Sequence, residues 1–301
     1  FLEQERIKIK SQFYEMKERY PIYYRLLNDG EEVELNDGFY DYREQINLSD
    51  PSYLKIPKYK DYIDALMDSK VKEYSDQEAF EDTSRTFLKA KVIKESFNNV
   101  TIQSILVEHQ LKRTLQNRGP KEAKPLADLY DDLPKRPEYN KEIQNLREDW
   151  AAIQNGKQAP AFAYPNMSGD TVRLSDFKGS YVYIDAWATW CGPCKKEIPH
   201  LKKLHDSLQN QNIEIVSISL DKAEDKAKWE KMVKDQELKG HQLFANGEAF
   251  DSKMVNDYMI YTIPRFIIIG PEGTIVNRDA PRPSQDAQQK LEALLNGEKE
   301  V

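Results

Sequence analysis

The chain has 301 residues, room for about two domains of the usual ~100–200 residues each. Its net charge is -7, from 51 acidic and 44 basic side chains. Neither half is basic, which excludes a sequence-independent grip on nucleic-acid phosphates and a polybasic membrane patch. The longest apolar run, Phe266-Ile267-Ile268-Ile269, is far short of the ~18–20 residues of a membrane-spanning helix. No transmembrane segment is expected.

The first half reads as helical. Ile9, Phe13, Met16 and Tyr20 follow i, i+4, i+7, i+11 spacing, the pattern of one buried helix face that stops at Pro21. Asn28-Asp29-Gly30 and Asn36-Asp37-Gly38 are turn signals. Tyr59, Ile63, Leu66 and Lys70 outline a second helix. A third helical region, about Ser84 to Gln116, carries Leu88, Val92, Phe97, Ile102, Ile105, Leu106 and Leu111, with a break at Asn98-Asn99. Arg118-Gly119-Pro120 ends it, since glycine suits a helix C-terminus and proline cannot continue one. A last helix, roughly Asn140 to Ile153, leads to Asn155-Gly156. Twelve of the 17 tyrosines precede residue 140. They suit a small helical core, or a partner-binding surface.

From Gly156 onward strands and helices alternate, as in an α/β layer. Thr171 to Leu174 is a short strand or turn. Tyr181 to Trp187 is a buried strand rich in β-branched and aromatic residues, followed by a helix to about Asn210. Ile213 to Leu220 is the next strand and Glu224 to Lys234 the next helix. An insertion follows, with a short helix near Phe250 to Tyr258. Arg265–Ile269 and Thr274–Asn277 form a hairpin, and Ser284 to Leu295 closes the chain as an amphipathic helix. The expected domains are an all-helical 1–154 and an α/β 155–301.

Chemistry concentrates in Trp187-Ala188-Thr189-Trp190-Cys191-Gly192-Pro193-Cys194-Lys195-Lys196, which holds both cysteines of the chain. Two cysteines exclude a disulfide-dense scaffold and a four-cysteine zinc site. Cys191 falls between a hydrophobic strand and a helix. There, unpaired N–H groups and the positive end of the helix dipole favour a thiolate, and a lowered thiol pKa makes it nucleophilic. Cys194, one turn on, can attack a mixed disulfide formed by Cys191. Pro193 suits the first helical turn, where its missing N–H is not needed. Zinc would need two more ligands, and His200 and His205 do not make a convincing set. A purely structural disulfide would close too small a loop to stabilise much.

The Trp-Cys-Gly-Pro-Cys-Lys string resembles the thioredoxin active site. Its context, with Lys195-Lys196-Glu197-Ile198-Pro199, the Ala159-Pro160-Ala161-Phe162 entry and the insertion between Leu220 and Thr262, is similar to the TlpA/ResA thiol-disulfide oxidoreductases. The resemblance covers about residues 156–301. It implies a thioredoxin fold, a central mixed sheet flanked by helices, preceded by a separate all-α domain with no recognised family. It also implies that Asp185 is a buried acid, that Glu197 is an active-site carboxylate able to take the Cys194 proton, and that Pro264 is cis and faces the site. Arg265 departs from the threonine often found there, which alters the charge expected of the substrate groove.

The expected activity is thiol–disulfide exchange without cofactor or metal. Cys191, Cys194, Asp185, Glu197 and Pro264 form the expected catalytic set. Trp187, Trp190, Gly192, Pro193 and Ile263 are expected to contact the substrate, the two tryptophans as an apolar rim. Protein disulfides are the expected substrates. By resemblance, a membrane thiol carrier supplies electrons and the protein works outside the cytoplasm, its targeting segment removed, as Phe1 in place of a start methionine also suggests. The helical half is a candidate dimerisation domain. Competing readings are a disulfide isomerase or oxidase, a thioredoxin-like peroxidase, and a binding module or redox sensor on a thioredoxin scaffold. The peroxidase reading lacks the Pro-x-x-x-Thr pattern expected around its cysteine.

Overall fold

A computed structural model describes residues 2–297. The chain divides into two compact units, one ending at Arg147 and the other beginning at Glu148. None of the described helices is long and apolar enough to cross a membrane.

The first unit is helical: α1 (Leu2–Leu27), α2 (Pro57–Ser75), α3 (Arg85–Ser96), α4 (Val100–Asp132) and most of α5 (Pro137–Ala152). Tyr59, Tyr62, Ile63, Leu66 and Met67 of α2 are fully buried with Leu88 and Ile93 of α3 and Ile102, Val107 and Leu111 of α4. The break between α3 and α4 falls at Asn99, whose side chain accepts from Thr101 N at 2.9 Å and Ile102 N at 3.3 Å and so caps the new helix. Gly119, at φ 81°, interrupts α4 rather than ending it: helix resumes at once, because Pro120 fits a first turn. Two buried carboxylates are answered by arginines. Glu18 accepts from Arg43 at 2.7 and 2.8 Å, and Glu108 from Arg136 at 2.6 Å.

Helix α1 departs from its sequence pattern in two ways. It runs through Pro21 to Leu27 and ends at the Asn28-Asp29-Gly30 turn, where Gly30 N donates to Arg25 O at 2.9 Å. Its buried face is Ser11, Tyr14 and Glu18, whereas Ile9, Phe13, Met16 and Tyr20 are exposed. The inner face is fixed by the Glu18–Arg43 pair and by Tyr14 stacking on Tyr42 at 4.7 Å, contacts that apolar periodicity does not encode.

The second unit is built on a five-stranded sheet of order β5-β4-β3-β6-β7: β3 (Tyr181–Trp187), β4 (Ile213–Ser219), β5 (His241–Phe244), β6 (Arg265–Ile269) and β7 (Ile275–Asn277). Strands β3, β4 and β5 are parallel; β6 and β7 are antiparallel to their neighbours. A small pair, β1 (Ala163–Pro165) and β2 (Thr171–Arg173), precedes the sheet. Helices α6 (Gly192–Ser207) and α9 (Ala287–Leu295) share a core with Tyr183, Ile215, Phe266 and Ile268. Helix α7 (Lys226–Asp235) contributes Trp229 and Val233 to a second core containing both cysteines. A short helix, α8 (Lys253–Asp257), follows β5. The mixed sheet flanked by helices is the thioredoxin-like fold. Strand β5, read from sequence as part of an insertion, is a sheet member: four residues hold it to β4 through backbone pairing, too few for a periodic signal.

Candidate active site

Strand β3 ends at Trp187, and α6 begins at Gly192 with Cys191 as its N-cap. Cys194 N donates to Cys191 Sγ at 3.1 Å, and the two cysteines form a disulfide. Both are almost completely buried, while Gly192 and Pro193 between them are exposed. In the reduced state, a Cys191 thiolate sits where the first N–H groups and the helix dipole stabilise negative charge.

The connecting loop is held from the next strand. Asp221, just past β4 and completely buried, accepts from Thr189 N at 2.9 Å and Thr189 Oγ1 at 2.7 Å, and from Ser219 Oγ at 2.7 Å. Leu220 N donates to Trp187 O at 2.8 Å. Parallel neighbours bring the ends of β3 and β4 side by side, so a residue at one strand end reaches the loop of the other. Sequence reasoning does not single out Asp221 and Thr189; an acid at the end of an apolar strand is the available signal.

Asp185 lies in β3, in register with Ser217 of β4 and Phe266 of β6. Burial pushes its carboxyl up to about 7, the Glu197 carboxylate adding to the push. The Ser217 hydroxyl opposes this, but desolvation is the larger effect. Glu197, in the second turn of α6, is also buried. Its two oxygens accept from Ser284 N at 3.0 Å and Ser284 Oγ at 2.8 Å, and Arg282 Nη1 lies 4.0 Å away. Ser284, on the segment leading to α9, is a third residue that sequence reasoning misses.

The Ile263–Pro264 peptide is cis. Ile263 packs against the core that holds Cys191, Cys194 and Trp187. The two tryptophans expected as an apolar rim lie in different surroundings. Trp190 is exposed, but Trp187 is buried among Trp229, Phe244 and the cysteines. It is the last residue of a central strand, with its side chain in the core. The exposed neighbour of Trp190 is Phe250, with ring centroids 6.1 Å apart.

Residues 155–278 match the profile of the AhpC/TSA family. The thiol-disulfide oxidoreductase ResA of Bacillus cereus is 30% identical over 152 residues, which span 50% of this chain and 83% of that protein. ResA of Oceanobacillus iheyensis is 33% identical over 143 residues, 44% of this chain and 68% of that protein. Among solved structures, a thiol-disulfide oxidoreductase from Bacteroides fragilis is 32% identical, with 46% of this chain and 99% of that one covered and a TM-score of 0.42.

Proposed function

This chain belongs to the thioredoxin-like ResA family of thiol-disulfide oxidoreductases, and on that premise we propose that it reduces protein disulfides outside the cytoplasm. The observation that carries the reading is the Cys191–Cys194 pair at the N-terminus of α6, in a unit whose strand β3 carries a buried carboxyl poised near neutrality.

The reaction begins from the dithiol. The Cys191 thiolate attacks one sulfur of the substrate disulfide, forming a mixed disulfide and expelling the other sulfur as a thiolate, which takes a proton from water. Cys194 then loses its proton to a carboxylate, Glu197 or Asp185, and attacks Cys191 Sγ. The second substrate thiol leaves, and the enzyme holds the Cys191–Cys194 disulfide. The substrate gains two electrons and the enzyme loses two. An external dithiol must restore the enzyme. By resemblance to the TlpA/ResA group, that donor is a membrane thiol carrier.

Asp185 and Glu197 suit different parts of this cycle. A carboxyl held near 7 can both accept and return a proton at neutral pH, which fits Asp185. Glu197, fixed by Ser284, has a defined orientation. Reduction of insulin disulfides with a dithiol donor tests the reading: wild type accelerates it and Cys191→Ser does not. Undiminished activity in that variant contradicts it. Cell fractionation of the source organism tests the compartment, and recovery in the cytoplasm contradicts it.

A further inference from the structure

Among the described residues of the second unit, two large apolar side chains are substantially exposed: Trp190 at 49% and Phe250 at 36%. Isolated exposed hydrophobics are ordinary on a protein surface. These two touch each other, with ring centroids 6.1 Å apart and planes inclined by 44°, and Trp190 immediately precedes Cys191 in the chain.

One segment positions both rings. Asp221 grips Thr189, the neighbour of Trp190, through its backbone N–H and its hydroxyl. The next two residues hold the other aromatic. Lys222 bridges to Glu248, and Ala223 N donates to Gly247 O at 3.0 Å. A Cβ on Gly247, at φ 78°, would lie 2.6 Å from the Ala223 backbone, so this close approach requires glycine. The chain then turns through Ala249, a non-glycine residue at φ 49°, into the single 3₁₀ turn that carries Phe250. Ser252 N closes the turn by donating to Ala249 O at 3.3 Å, and the Ser252 hydroxyl caps α8 by accepting from Val255 N at 3.4 Å. Asp221 to Ala223 therefore fixes, on one side, the loop bearing Trp190 and, on the other, the turn bearing Phe250.

We propose that Trp190 and Phe250 form one apolar platform that receives the side chain flanking the substrate's disulfide cysteine. The preferred substrate is then a polypeptide with an aliphatic or aromatic residue next to that cysteine. This rests on the disulfide-reductase reading and adds a substrate class to it. The platform adjoins the nucleophile, so a polypeptide whose disulfide reaches Cys191 brings its neighbouring residues to these rings. Aromatic side chains recur where binding energy concentrates, because they offer large area with little rotamer freedom to lose. Trp190 alone provides one wall. Phe250, from the segment between β5 and α8, makes it a two-sided surface.

The test uses the full chain, reduced beforehand, and three disulfides: a peptide with Phe beside the disulfide cysteine, the same peptide with Ser there, and hydroxyethyl disulfide, which has no side chain to place. We expect kcat/KM for the Phe peptide to exceed that for the Ser peptide by about tenfold, the scale on which one apolar contact discriminates. Phe250→Ser should bring that ratio close to one, and should lower the Phe-peptide rate relative to hydroxyethyl disulfide by a similar factor. Phe250→Tyr, which keeps an aromatic face, should restore most of the preference. An unchanged peptide ratio in Phe250→Ser, or no preference in wild type, overturns the platform while leaving the reductase reading intact. Failure of wild type to reduce any of the three overturns both.

Discussion

Asp221 and Thr189 form a closed polar pair beneath the loop that presents the dithiol: the carboxylate takes both the backbone N–H and the hydroxyl of Thr189 with neither residue exposed. A completely buried carboxylate is tolerated only when its lone pairs are answered, and Ser219 supplies a further donor. The arrangement ties the end of β4 to the residue two before Cys191.

Asp221→Ala should cost about 2–4 kcal/mol in urea denaturation, because it leaves the Thr189 and Ser219 donors buried without an acceptor. Thr189→Val removes one hydroxyl and keeps the backbone N–H donating to Asp221, so its cost should be smaller, about 1–2 kcal/mol. Equal losses in the two variants would contradict the clamp.

Asp185 gives a pH signature. Its carboxyl titrates near 7 in the folded protein and in the usual range near 4 when unfolded. The folded state therefore holds the extra proton between those values, and stability falls as pH rises from about 4 to about 7. Above that window the buried charge costs on the order of 4 kcal/mol. Asp185→Asn should stabilise the oxidised protein at pH 8 by a large part of that amount and change little at pH 4, compared by urea denaturation at both. A difference between variant and wild type that stays constant with pH would contradict the raised pKa.

Cys194→Ser should stop the cycle at the mixed disulfide. Reduced variant mixed with a disulfide peptide should gain the mass of one peptide half on Cys191, stable for hours and released by dithiothreitol. Rapid turnover without an accumulating adduct would contradict the resolving role.

Glu197→Gln keeps an acceptor for Ser284 but cannot take a proton. The attack by Cys191 should proceed near the wild-type rate, while the release step slows by about 10–100-fold, within the range of general-base effects. Rapid-quench analysis of the mixed disulfide separates the two. Slowing of both steps alike would make Glu197 a structural residue.

The redox unit is largely legible in sequence because its signals are local. Cys191, Gly192, Pro193 and Cys194 are contiguous, and the apolar runs of β3 and β4 fall at the strands themselves. What escapes depends on distant partners. Asp221 meets Thr189 across 32 positions and Ser284 meets Glu197 across 87, and nothing in either neighbourhood announces the other. Trp187 is misplaced by sequence reasoning because an aromatic beside a cysteine motif looks the same whether it faces solvent or the core. On α1 the period correctly marks a helix, but it cannot say which face the neighbouring helix covers. Tyrosines and the Glu18–Arg43 pair decide that.

The reduction potential of the Cys191–Cys194 couple decides whether it works as a reductant. Equilibrating the protein in dithiothreitol or glutathione buffers and counting its thiols gives the reduction potential directly. A reductant should give a value near the ~-270 mV of thioredoxin, a couple that donates electrons and must be supplied with them. A value near the ~-120 mV of a strong disulfide donor would make the protein an oxidase and contradict the direction proposed.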